Sequence, residues 1–334
     1  MKKAIFIAAS VLCATIAFAG GKAETKAAPT AQPINLKAYV PTNPTAVPTK
    51  ALMYFAENVN KAAGGRLNVQ VFHSGQLGND REAIESTRMG TIDIMFAGTG
   101  GYSSFYKKAK IFDLPFLFSN AKEAYEVVNG PVGEDLFSGL KEFNLIYLST
   151  GDNGMRHIST TGKAVNSVED VKGLKVRVPE IDTYVALWKS WGAIVTPMPL
   201  GELYMALKTG VVDAQDNAPY HSVANKMHEV QKAYSMINYM WMGLTMVAND
   251  KSWAKLPADL QKIVKDEAKK AAAYSFDQIE KDNVTALATM KAAGLTIVDN
   301  PDRESFMKNI DAFYAQYEGQ PWYDKALVQK LRKK

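Results

Sequence analysis

The chain has 334 residues, 39 Lys and Arg against 34 Asp and Glu, a formal charge of +5 and a single cysteine. That charge is too small and too evenly mixed for a nucleic-acid surface, and one cysteine excludes a disulfide framework. Without a leader, roughly 315 residues remain, a length that predicts two domains.

Residues 1–19 read as a secretory signal peptide. Lys2 and Lys3 form a basic start, Ala4 to Phe18 are apolar and uncharged, and Ala17-Phe18-Ala19 puts small residues where a signal peptidase cuts. Cys13 follows Ser10-Val11-Leu12, a poor lipobox, which leaves lipidation as an alternative. Cleavage after Ala19 gives a mature chain of charge +3 with no cysteine, exported to the periplasm. No other apolar run approaches ~20 residues, so the mature chain is expected to be soluble.

Residues 20–33, small, polar and Pro-containing, read as a disordered leader. INLKAYVP (34–41) predicts a strand, residues 50–65 an amphipathic helix ending at Gly64-Gly65, and LNVQVFH (67–73) a second strand. Asn79 and Glu82 have capping-box spacing and open a helix that stops at Gly90. TIDIMFAG (91–98) is a buried strand running into a glycine-rich turn. This alternation predicts an α/β unit with a largely parallel sheet. A second α/β unit follows, without an internal sequence repeat. LIYLST (145–150), LKVRVP (174–179), AIVTPMP (193–199), VDAQDN (212–217) and TMVAN (245–249) read as strands, and 180–192 and 200–210 as helices. From Asp259 to about Lys291 the pattern is helical without Gly or Pro, roughly 50 Å of helix at 1.5 Å per residue. Such a helix must bend or pack across both domains.

No spacing of catalytic residues stands out. His73, His157, His221 and His228 make no metal-ligand spacing; His221 and His228, seven apart, share a face if that stretch is helical. GTGG (98–101) is no dinucleotide fingerprint, and neither a phosphate-binding GxxxxGK[ST] loop nor a GxSxG elbow occurs. The expectation is no enzyme, no metal and no cofactor.

Three positions have the chemistry to bind an acid. In GLKVRVPE (173–180), Leu174, Val176 and Val178 alternate with Lys175 and Arg177, and Pro179 ends the strand. Arg177 then stands at a strand's carboxyl end, where open α/β sheets bind ligands. Taken alone, it also fits a solvated arginine on an edge strand. Arg156 follows a strand and a glycine turn in GDNGMRHIST, and Asn217 follows a strand in VVDAQDNAPY. A guanidinium offers a two-donor fork to a carboxylate, and an amide supplies one donor and one acceptor group. Asn153, Asn79, Tyr39, Thr99, Tyr220 and Trp241 complete the candidate set.

SGQLGNDREAIE, MGTIDIMFAG, FDLPFLFSN, DVKGLKVRVPE, GELYMALKTGVVDAQDN and SWAKLPADLQKIV stand in this order along the chain. Together they resemble the solute-binding proteins of TRAP (tripartite ATP-independent periplasmic) transporters over nearly the whole mature chain. The resemblance implies two α/β domains of the periplasmic-binding-protein type, joined by hinge segments, with a long helix spanning both. The expected division is 34–153 with 243–282, and 154–242 with 283–334. It implies that Arg177 clamps a ligand carboxylate, that Arg156 joins it and that Asn217 contacts the ligand. DAQDNAP departs from the family's DGQEN signature, and Gly98 stands where some members carry an acid, which argues against sialic acid. The resemblance thus implies a monomeric receptor that binds a small sugar acid or C4-dicarboxylate and hands it to membrane permease subunits. A secreted enzyme acting on an organic acid, or a ligand-loaded partner of a sensor kinase, are the alternatives.

Overall fold

The computed structural model describes residues 32–332. The signal peptide expected over 1–19, Cys13 within it, and all of the leader before residue 32 lie outside the described residues.

The N-terminal elements are β1 (Ile34–Tyr39), α1 (Val47–Ala62), β2 (Leu67–Phe72), α2 (Asp80–Met89) and β3 (Ile94–Gly98), followed by α3 (Ala121–Val128) and α4 (Pro131–Ser138). Then come β4 (Leu145–Thr160), β5 (Lys175–Val178), α5 (Asp182–Ser190), β6 (Ile194–Pro197), α6 (Leu200–Lys208), β7 (Ala214–Asn217), α7 (Pro219–Ala224) and β8 (Ala233–Asn249). The chain closes with α8 (Asp250–Ala254), α9 (Ala258–Ala292), β9 (Thr296–Val298), α10 (Arg303–Met307), α11 (Ile310–Ala315) and α12 (Lys325–Arg332). No described helix is long and apolar enough to cross a membrane.

Several elements start where local chemistry directs. Asn79 and Glu82 form the expected capping box, and α2 ends at Gly90, whose φ of 83° suits glycine. Helix α1 begins at Val47, earlier than expected, because Pro48 sits in its first turn and needs no hydrogen-bond acceptor there.

All described strands join one sheet of order β2-β1-β3-β8-β4-β7-β5-β6, with β9 on β8. Its two ends are parallel, as expected: β1 with β2 and β3, and β5 with β6 and β7. Its centre is not. Strands β4 and β8 are 16 and 17 residues long and pair antiparallel with each other, β4 also with β7 and β8 also with β3, whereas the short β9 lies parallel to β8. Two expectations change accordingly. LIYLST is only the start of β4, and TMVAN only the end of β8. The glycine-containing GDNG stretch does not turn the chain, because Asn153 and Gly154 are absorbed as a bulge inside β4.

Helix α9 runs 35 residues, about 52 Å at 1.5 Å per residue. Leu260, Val264, Ala268 and Ala271 pack in a core with α1, β1 and β3, whereas Ile279, Ala286 and Met290 pack in a separate core with Ala218, Tyr220 and Tyr234. One helix therefore seals two cores. His221 and His228 do not share a helix: α7 ends at Ala224, and Lys226 takes a left-handed turn of φ 59° before His228.

Candidate functional site

The parallel strands end at one cavity. Val40 beyond β1, Gly98 of β3, Arg177 and Pro179 at the end of β5, and Asn217 of β7 line it, and the middle of β4 and β8 supplies Asn153, Arg156, Met242 and Leu244. Its volume is about 540 Å³, within the roughly 300–1,000 Å³ of small-molecule sites. This is where open α/β sheets place their ligands.

Arg177 is not a solvated edge residue. Strand β5 lies one in from the sheet edge, flanked by β7 and β6, and Arg177 is 3% exposed while Lys175 on the same strand is exposed. Its Nε and Nη2 donate to the Met198 carbonyl at 2.9 and 2.7 Å. No described carboxylate forms an ion pair with it, and Nη1 has no hydrogen-bond partner among the described residues. Burial pulls its pKa down to about 10, against the opposing fields of Asp216 and Asp80. A buried, charged group with open donors is costly unless an anion arrives.

Arg156 is different. Its Nε donates to Asp216 Oδ2 at 2.6 Å and its Nη2 to the Asp216 carbonyl at 2.5 Å, and its guanidinium carbon lies 5.0 Å from the Tyr184 ring centre. Tyr239 also donates to Asp216 Oδ2. Burial opposes the Arg156 charge, but Asp216 with Tyr184 and Tyr239 outweighs it and raises the pKa above the ordinary value. The pair is fully desolvated, so Arg156 reaches the cavity already neutralised.

A bulge sets this geometry. Asp152 pairs with Gly243 and Met155 with Trp241, so Asn153 and Gly154 together oppose Met242. Gly154 has φ 85°, and a Cβ there would stand 2.7 Å from Ala218 Cβ, so the position requires glycine. Asp152 pins the bulge from behind, accepting from Gly154 N at 2.8 Å and Trp241 Nε1 at 2.6 Å. Burial pushes the Asp152 carboxyl up to about 7, with those donors pulling it back.

Across the bulge, Asn153 Nδ2 and Arg156 Nη1 both donate to Met242 Sδ, at 3.2 and 2.9 Å. Asn153 Oδ1 accepts from Tyr220 OH and from His221 Nε2. That contact puts the His221 proton on Nε2, and burial followed by Arg156 and Arg177 lowers its pKa to about 3. Asn217 donates from Nδ2 to Gln215 Oε1 at 2.6 Å, leaving Oδ1 without a partner among the described residues. Asn79 spends Oδ1 on its own cap, accepting from Glu82 N at 3.0 Å, and its Nδ2 has no partner among the described residues.

Of the nine candidates, Arg177, Arg156, Asn217, Asn153 and Asn79 line the cavity. The other four stand behind its lining. Tyr39 OH donates to the Gly78 carbonyl at 2.5 Å and so holds the turn that presents Asn79. Thr99 is buried against Thr245, with their hydroxyls 2.9 Å apart. Tyr220 orients Asn153, and Trp241 orients Asp152. Bulky groups at conspicuous sequence positions thus brace the site, because their polar ends are spent on neighbouring backbone and side chains.

Other lining groups carry no such sequence signal. Asp80, Glu82 and Glu202 bring carboxylates to the wall, and Asn43, His221 and Asn225 bring further polar atoms. Burial raises Asp80 to about 6, with Arg177 opposing. Among the described residues the wall contains no lysine and no further arginine. Asp216 is the most telling omission: it stands beside Asn217 in a wholly buried strand, where an acid needs a cation partner.

A two-lobed α/β fold whose parallel strands end at a shared, cation-bearing cavity defines a solute-binding receptor. The pattern described as "Bacterial extracellular solute-binding protein, family 7" matches residues 39–320, and the chain belongs to that family, the TRAP solute-binding proteins. A solute-binding protein of Verminephrobacter eiseniae is 33% identical over 282 residues, covering 84% of each chain. The structure of a TRAP periplasmic solute-binding protein from a Polaromonas species, bound to D-erythronate, superposes with a TM-score of 0.86 at 28% identity, over 89% of this chain and 98% of that one. One from Chromohalobacter salexigens with bound D-glucuronate gives 0.85 at 29%, over 89% and 99%. The fold is that of the two-domain periplasmic receptors, and the protein is a binding protein, not an enzyme.

Proposed function

We propose that this protein is the periplasmic receptor of a TRAP transporter, that it holds a small sugar acid by a carboxylate on Arg177, and that it delivers that acid to the membrane permease. The observation that carries the reading is the buried guanidinium of Arg177, which has no carboxylate partner among the described residues. A carboxylate there completes a charge-assisted, fork-shaped contact.

The same charges favour a polyhydroxy monoacid over a C4-dicarboxylate. Arg156 is neutralised by Asp216, so one unpaired guanidinium faces a wall with three carboxylates, from Asp80, Glu82 and Glu202. A second ligand carboxylate would meet like charge, whereas hydroxyls can donate to those oxygens and to Asn217 Oδ1. D-Erythronate and D-glucuronate in the two structural relatives are of this class. The lobes divide at 153/154, 242/243 and 282/283, where β4, β8 and α9 cross between them, so ligand binding closes the cleft about those three segments.

A calorimetric screen of D-erythronate, D-glucuronate, galactonate and succinate tests this. The sugar acids should bind at least tenfold more tightly than succinate. Binding of succinate with equal or greater affinity would overturn the preference, and heat from none of them would overturn the acid receptor itself.

A further inference from the structure

Beside the main cavity lies a second one of about 310 Å³. The two are contiguous and have eight lining residues in common, Arg177, Gly98, Pro199 and Met242 among them, but the second extends to Arg81, Ser104, Lys107 and Glu180, which the first does not reach. Its additional walls carry charges of both signs, a lining able to hydrogen-bond a sugar ring.

The thioether of Met242 stands at the boundary. It is the single residue opposite the two-residue bulge, so β8 aims it directly into the cleft. Its methyl group rests on Gly98: a Cβ at that position would lie 2.4 Å from Met242 Cε. Its sulfur takes the hydrogen bonds of Arg156 Nη1 and Asn153 Nδ2. A methionine on a solvated surface makes none of these contacts. Here backbone register, a glycine seat and two donors fix an otherwise flexible side chain in one place.

We propose that Met242 is a specificity-determining partition, which confines a ligand anchored on Arg177 to the first cavity and thereby limits the length of the acid accepted. This rests on the reading of Arg177 as the carboxylate anchor. Shortening Met242 joins the two cavities and admits a second sugar unit past Gly98 toward Ser104 and Lys107. The sulfur's hydrogen bonds contribute by holding the partition still, but its bulk is the barrier.

The test compares galactonate, one sugar-acid unit, with lactobionate, which carries an added galactosyl unit, by calorimetry on the full receptor. The readout is the ratio of lactobionate to galactonate affinity in the wild type, Met242→Ala, Met242→Val and Met242→Leu, each first shown to melt cooperatively. The ratio should rise at least tenfold in Met242→Ala. Met242→Val, which also removes the sulfur and Cε, carries the same expectation should the alanine variant fail to fold. Met242→Leu keeps the volume and should stay within threefold of wild type. A smaller rise in the shortened variants, or an equal rise in Met242→Leu, overturns the partition while leaving the receptor reading intact. Galactonate affinity left within threefold of wild type by Arg177→Ala overturns the anchor on which the partition depends.

Discussion

Arg156 and Asp216 form a buried ion pair, Nε to Oδ2 at 2.6 Å, with both side chains at most 3% exposed. Arg177, equally buried and on the neighbouring wall of the same cavity, has no such partner among the described residues. The two arginines therefore divide the work. One is part of the framework, and the other is the anion site of the proposed function. This contrast separates the consequences of removing each.

Arg177→Ala should lose about 2–5 kcal/mol of sugar-acid binding, the cost of truncating one side of a desolvated charge pair. Arg177→Lys should recover only part of it, since an ammonium lacks the planar fork. Without ligand, either change should alter the melting temperature little, because relief of a desolvated charge that has no ion-pair partner offsets the loss of its donors to the Met198 carbonyl. Calorimetry and thermal melts read both quantities, and affinity within threefold of wild type would remove Arg177 from the site.

Asp216→Ala should behave in the opposite way. It leaves Arg156 buried and unpaired, and removing one member of such a pair costs about 3–5 kcal/mol of stability. The midpoint of urea unfolding checks this. An unchanged midpoint would mean that water reaches Arg156 and that the pair is not structural.

Asp113 predicts a pH dependence. Neither of its carboxylate oxygens has a hydrogen-bond partner among the described residues, and burial raises its pKa from 3.8 to about 7, with Arg156 opposing. The folded state then binds the proton more tightly than the unfolded state. The associated stability is fully present below pH 3.8 and is lost as the pH rises to about 7. Relative to Asp113→Asn, wild-type stability should fall with pH across that window, by at most about 1.4 kcal/mol per pH unit. Parallel stability curves for the two proteins would show that Asp113 titrates alike in the folded and unfolded states.

The proposed closure of the lobes predicts a change of shape. Galactonate should reduce the radius of gyration measured by small-angle scattering, and Arg177→Ala should abolish the change, since binding shifts the population only through contacts that favour the closed state. An unaltered curve at saturating galactonate would rule out closure even with binding established.

The sequence alone determined what local chemistry controls. The capping box at Asn79 and Glu82, the alternation that makes β5 and the unbroken pattern of α9 are all written within a few residues of each other, and each element forms where that pattern lies. Arg177 was legible for the same reason: a charged residue in an alternating strand just before a proline marks a strand's carboxyl end. Only the tertiary structure decided the rest. The lengths of β4 and β8 depend on each other, because their long polar and aromatic stretches become strand only by pairing across about 90 residues of sequence. The bulge at Asn153 and Gly154 exists only in register with Met242. That Arg156 is neutralised and Arg177 is not follows from the distance to Asp216, 60 residues from Arg156 along the chain. Charge at a site is a property of spatial neighbours, and periodicity along one strand carries no record of them.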